Sequence, residues 1–214
     1  MVPVAPRLPH SFAAWTGSLR HARRPLGSLF AVQALAAAVN MSMIFLLPDL
    51  MLQLGAPDWV VQGGGHFALV AGGALALVPA GHAADRLGGR RVLVTTNFMT
   101  GLALAVILGV KVPPVLLLPV LAAFGAFASA NNVVALAEGN RLLPGRGSGV
   151  SALLMGLPWC VASLGPVIAG ALADPHHGGT PTAALGTMAL CSPLALLAAA
   201  LLPSRAAGGG SAPE

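Results

Sequence analysis

Charge is what this chain has least of. Only 8% of its 214 residues are Asp, Glu, Lys or Arg, against about a quarter in soluble domains. So few charges cannot clothe a water-exposed surface. That excludes an ordinary soluble globule and leaves lipid as the surrounding solvent. Acids are scarcer than bases, 6 against 11. Asp49, Asp58, Asp85, Glu138 and Asp174 all fall near the ends of apolar runs or between them. Proton coupling usually needs a titrating group inside the membrane, and no span offers one on its own. Cysteine is nearly absent. Cys160 and Cys191 make neither a disulfide framework nor a metal-ligand spacing, and both are expected to be small buried hydrophobes. No metal and no cofactor is expected. Alternation of polar and apolar residues is missing too, which excludes the strands of an outer-membrane barrel.

What is present is six charge-free runs: Leu26–Pro48, Trp59–Ala84, Val92–Val110, Val112–Ala137, Gly147–Ala173 and Gly178–Ser204. Each has the roughly 20 residues that a helix needs to cross a hydrocarbon core of about 30 Å. Lipid supplies no hydrogen bonds, so each run must satisfy its own backbone, as a helix does. The expected fold is an all-α membrane protein with six transmembrane helices, near 27–47, 65–84, 92–110, 115–137, 148–173 and 181–202. Six spans put Arg7, Arg20, Arg23, Arg24, Arg86, Arg90, Arg91, Arg141, Arg146 and Arg205 on one side and Lys111 alone on the other. Basic loops stay inside, so both termini are expected in the cytoplasm of a plasma membrane, with membrane lipid as the first partner. The net charge of +5 then reflects topology, and a nucleic-acid partner is not expected.

Residues 1–25 read as a basic cytoplasmic leader. Phe12, Trp15 and Leu19 sit at helical spacing ahead of Arg20, Arg23 and Arg24, the pattern of an interfacial helix on anionic lipid; a disordered leader is the plainer alternative. Arg23-Arg24 before Ala36-Ala37-Ala38 also resembles a signal peptide, but the apolar run continues past those alanines. The first span is expected to end near Pro48-Asp49, and Trp59 to anchor the outer interface. Gly72, Ala76, Ala80 and Ala84 form a small-residue stripe in the second span, and Gly165, Ala169 and Ala173 another in the fifth; such stripes let helices approach closely. Pro79, Pro158, Pro166 and Pro193 are expected to bend their spans. The Gly/Ser/Ala-rich tail 203–214 is expected to be disordered.

Between the second and third spans lies GHAADRLGGRR, Gly81–Arg91. A charged turn this short, wedged between apolar runs, must lie at a membrane surface. Gly81 is expected to allow close packing and Gly88 to supply the reversal. Asp85 can bind the free N–H groups at the start of a neighbouring helix. Arg86, Arg90 and Arg91 can pair with a carboxylate or with lipid phosphate. Glu138 is the natural partner on that side, and Arg86–Glu138 is the expected pair.

This turn resembles, residue for residue at Gly81, Asp85, Arg86, Gly88, Arg90 and Arg91, the cytoplasmic-loop motif of the major facilitator superfamily. There the motif joins the second and third helices of each six-helix half, its place here. The stretches AEGNRLLPGRGSGVSALLMG (Ala137–Gly156) and GALAD (Gly170–Asp174) look like the C-terminal half of fosmidomycin-resistance-type efflux members. The resemblance spans residues 26–202. It implies small-solute transport, with efflux as the direction, by alternating access. Members carry about twelve helices in two pseudo-symmetric halves around a central cavity; this chain carries six. The resemblance therefore implies a half that pairs with another six-helix half or with itself as a homodimer, or a structural or non-functional fragment of a longer carrier. In the family the motif's Asp locks the outward-open state against the fifth helix of the opposite half. In a homodimer the partner's helix starting near Ser148 would substitute.

The family's first and fourth helices line the cavity. On those spans the polar residues are Gln33 and Asn40, seven apart and so on one face, and Ser129, Asn131 and Asn132. Trp159 in the fifth span and His66 in the second are further candidates. An amide in lipid must be paired, so an interhelical hydrogen bond without a ligand role is the alternative for each. His176-His177 is expected to be solvated. An intramembrane enzyme would need a Ser–His pair. Ser148 or Ser151 lies a membrane away from His66, while His82 belongs to the basic turn. No enzymatic activity is expected.

Overall fold

The computed structural model describes residues 12–110 and 113–203, with side chains from Ala22 onward. The leader before Phe12, the side chains of Phe12, Trp15 and Leu19, Lys111 and the tail from 204 lie outside the described residues. Among the described residues six helices are long and apolar enough to span a membrane: α1 Ala22–Gln53, α2 Val60–Leu87, α3 Gly89–Gly109, α4 Pro114–Leu142, α5 Gly147–Ala173 and α6 Pro181–Ala200. The backbone of α1 is helical from Phe12. Its 32 residues from Ala22 make about 48 Å of helix, longer than the hydrocarbon core is thick, so it tilts or projects.

Several boundaries differ from the sequence expectation. The first helix does not stop at Pro48 but runs through Pro25 and Pro48 to Gln53. The second runs on to Leu87 and the third restarts at Gly89. The expected eleven-residue loop is thus a single-residue break at Gly88. Asp85 and Arg86 ride on the last turn of α2, and Arg90 and Arg91 on the first turn of α3. The α5 helix contains a π segment, Ala152–Gly156, and α2 is kinked near its start at Gly63, whose φ of 172 and ψ of -23 are not helical.

The chain runs as two triplets, α1–α3 and α4–α6, whose helices interleave in the bundle. The α2 helix lies along α4, and α5 along α1; α3 packs on α4, and α6 on α1. The pairs α1·α4 and α3·α6 close the bundle, and α1·α2 is matched by α4·α5, as α2·α3 is by α5·α6. Exchanging 1 with 4, 2 with 5 and 3 with 6 leaves this pattern unchanged. Because three is odd, the two triplets enter the bundle from opposite ends.

Small residues make the two long pairings close. A Cβ on Gly72 would strike the Ala122 backbone, one on Gly125 the Leu69 carbonyl, and one on Gly73 the Ser129 hydroxyl. On the other triplet, a Cβ on Gly165 would fall 2.8 Å from the Ala38 carbonyl oxygen and 2.9 Å from Ser42 Oγ. The stripe residues Ala80, Ala84, Ala169 and Ala173 are buried, and Ala76 is half-buried.

The core falls into two apolar clusters. One includes Met43, Leu46, Leu104, Leu121, Phe124 and Leu185. The other includes Leu29, Val32, Leu93, Val134, Val150 and Leu154, at the end that bears the arginines. Amides and hydroxyls run along α1, α3 and α4 where the clusters meet: Gln33, Asn131 and Asn132 beside the basic-end cluster, Thr96, Asn97 and Thr100 between the two, and Asn40 and Ser42 beside the other. Apolar side chains such as Phe67, Leu75, Val167 and Leu197 point outward, where lipid rather than water meets them.

Candidate functional site

At the basic end the turn is set by Gly88, whose φ of +85 and ψ of 139 suit glycine. Gly88→Ala is expected to cost about 1–3 kcal/mol through backbone strain, read as a lower melting temperature in detergent. Gly81, expected to permit close packing, has open space where a Cβ would stand. It is therefore no packing glycine here. The close glycine of this region is Gly89, whose Cβ would strike the Glu138 side chain.

The Arg86–Glu138 pair expected from the sequence does not form. Arg141, one turn beyond Glu138 on α4, takes the carboxylate instead, its guanidinium donating to Glu138 Oε1 at 2.6 Å. The same guanidinium donates to Asp85 Oδ1. Asp85 is thus held within its own chain, tying the end of α2 to the end of α4. Glu138 and Arg141 stand at i,i+3 on one helix, a signal present in the sequence and not used. The Asp85 side chain is 66% exposed and Arg141 34%. Ion pairs so open to solvent contribute about 0–1 kcal/mol to stability, and a bond that breaks at so small a cost suits a switch better than a staple. Arg90 and Glu138 also line a cleft of about 30 Å³ with Pro25, Leu29 and Leu142, room for one water. Among the described residues Arg86, Arg90, Arg91 and Arg146 make no ion pair.

The polar layer places the other candidates. Gln33 is buried and donates through Nε2 to Asn132 Oδ1 at 2.9 Å and to the Leu154 carbonyl at 3.4 Å. It joins α1 to α4 and α5. Asn131 is buried and accepts from Asn97 Nδ2 at 2.9 Å, which also donates to the Leu93 carbonyl. Thr96 and Thr100 turn their hydroxyls back onto α3 carbonyls. Ser129 sits at the α2–α4 crossing against Gly73. Gln33 and Asn131 therefore hydrogen-bond to neighbouring helices, and Ser129 packs at a helix crossing. Asn40 and Asn132 are half-buried and Trp159 is exposed on α5. Among the described residues four buried polar atoms have no partner: Gln33 Oε1, Asn40 Oδ1, Ser42 Oγ and Asn131 Nδ2. Unmade bonds in an apolar interior are costly, so the layer has capacity for water or for a ligand.

Cysteine burial differs from expectation. Cys160 is exposed and Cys191 half-buried, because a lipid-facing surface accepts small apolar groups that a water-facing one would hide. His66 is half-buried, and its Nε2 meets the Ile44 carbonyl of α1 at 3.0 Å. His82 Nδ1 contacts the Val78 carbonyl on its own helix. At the opposite end His177 pairs with Asp174 at 2.9 Å and is 83% exposed, and Thr182 donates to Gln53.

Fold and layout together define a multi-pass, all-α integral membrane protein whose charged residues cluster at one end of the bundle and whose amides lie at its middle. The chain matches no protein-family model and no curated protein.

Proposed function

We propose that the chain moves a small solute across a bacterial plasma membrane by alternating access, as one six-helix half of a major-facilitator-type transporter. The pathway is completed by a second copy or by another six-helix half. The observation that carries this reading is the exchange symmetry of the packing: two three-helix units of opposite orientation, the internal construction of such halves. Two features add to it. Polar groups lie near the middle of the bundle, where such carriers bind solute. Asp85 and Arg141 join two helix ends through an ion pair weak enough to break in each cycle. The Ala137–Gly156 and Gly170–Asp174 stretches favour efflux of the fosmidomycin-resistance type.

The test is reconstitution into liposomes with a panel of radiolabelled small solutes, with crosslinking in the same membranes. Saturable flux that rises with the crosslinkable dimer supports the reading. Asp85→Asn is expected to change both dimer population and flux. Dimers that carry nothing across the panel would point instead to a structural or remnant protein.

A further inference from the structure

A proline inside a helix has no N–H for the carbonyl four residues back. In lipid that carbonyl finds no water, so a neighbouring group must take it. At one proline of this bundle the orphaned carbonyl is taken by a side chain of another helix. Pro48 frees the Ile44 carbonyl of α1, and His66 of α2 meets it through Nε2 at 3.0 Å. On α5 Gln33 of α1 donates at 3.4 Å to the Leu154 carbonyl, inside the π segment Ala152–Gly156 and just ahead of Pro158. Such segments loosen the regular ladder and recur at functional places.

The two contacts sit at opposite ends of the bundle. Ile44 lies among residues of the core cluster away from the arginines, with Met43, Leu46 and Leu47. Leu154 belongs to the cluster at the arginine end, with Leu29 and Val150. At Pro48 the bonding is specific to the proline, since a regular helix without it would have no free carbonyl at Ile44 to offer.

We propose that His66 and Gln33 are positioning residues that latch two irregular helix segments, α1 at Pro48 on the distal side and the π segment of α5 on the basic side, and that release of one latch opens that side of the bundle alone. This deepens the alternating-access reading, which requires each end to open separately. It assigns His66 Nε2 a donor's role toward the Ile44 carbonyl, which places a proton on that nitrogen. Gln33 holds α5 while its bond to Asn132 keeps α4 in register, so one amide controls two neighbours at the basic end.

The test has two readouts, both on the full chain in lipid nanodiscs where either face meets solvent. The first is a double-mutant cycle by thermal unfolding. His66→Ala is expected to lower the melting temperature by about 2–6 °C in the native background. In a Pro48→Ala background, where the backbone N–H gained at position 48 restores the helical bond, it should lower it far less. His66→Gln, which keeps an amide donor, should recover most of the loss. The second readout is labelling by a water-soluble maleimide in a Cys160→Ala, Cys191→Ala background. A probe at Leu50→Cys reports the distal end and one at Leu29→Cys the basic end; both positions are buried. His66→Ala should speed labelling at position 50 about fivefold and leave position 29 unchanged; Gln33→Met should do the reverse. Equal gains at both probes in either variant, or a His66 cost that Pro48→Ala does not reduce, would overturn the latches. Neither readout uses a transport assay. Absent flux therefore counts against the transport reading only, and unlatched behaviour counts against the latches only.

Discussion

Replacing Gly125 by alanine is expected to remove most of the folded protein. The new Cβ would sit on the Leu69 carbonyl, and backbone cannot swing aside as a side chain can. The α2 and α4 helices would have to separate along their length. Overpacking a tight site costs about 1–3 kcal/mol and sometimes more; a backbone collision belongs at the upper end. The loss would take a large part of a typical stability of about 5–15 kcal/mol. Gly72→Ala, aimed at the Ala122 backbone, should behave alike. Gly81→Ala, with open space at its Cβ, should be silent. The monodisperse fraction by size-exclusion chromatography in detergent reads all three. Equal yields for Gly125→Ala and Gly81→Ala would show that the crossing is not as close as described.

Replacing Arg141 by glutamine is expected to reduce solute flux at least about tenfold, the effect of some 1.4 kcal/mol on a conformational equilibrium, while the melting temperature changes little. The guanidinium is the only described group bonded to both Asp85 and Glu138. Its loss unties α2 from α4 and leaves Glu138, 17% exposed, without its counter-ion. Solvent-open pairs contribute little to stability, so a large effect on flux with a small effect on melting separates a switch from a staple. Arg86→Gln is the control, since Arg86 has no ion pair among the described residues, and its flux should stay near native. The opposite ranking, with Arg86 essential and Arg141 dispensable, would restore the pairing that the turn alone implies.

Much of this architecture is legible in the chain. Charge-free runs long enough to span are set by the solvent, and six of them reappear as six apolar helices. The stripes at Gly72 and Gly165 reappear at close crossings because small residues at four-residue spacing have one use in lipid. The departures share a cause: a local signal does not contain its neighbours. Pro48 reads as a stop, yet the helix passes through it because His66 takes the freed carbonyl, a contact 22 residues distant in sequence. Arg86 reads as the partner of Glu138 because it sits in the motif, whereas Arg141 is one helical turn away on the same helix. Gln33 and Asn131 read as cavity-lining because the resembled family's first and fourth helices line its cavity; their hydrogen bonds here go to neighbouring helices, the alternative that an amide in lipid also offered. Burial of the cysteines follows from the rules of a water-soluble core, which invert on a surface that meets lipid.

Accessibility of single cysteines to an impermeant maleimide in intact cells tests the central claim most directly. With the native cysteines replaced, probes at Arg91 and Arg146 should stay unlabelled until the membrane is opened. Probes at Asp58 and His177 should label at once. That pattern requires α2 and α5 to cross in opposite directions, which places the two triplets in opposite orientations. Prompt labelling at Arg91 or Arg146, or protection at both Asp58 and His177, would contradict the inverted six-helix arrangement, and with it the transport reading.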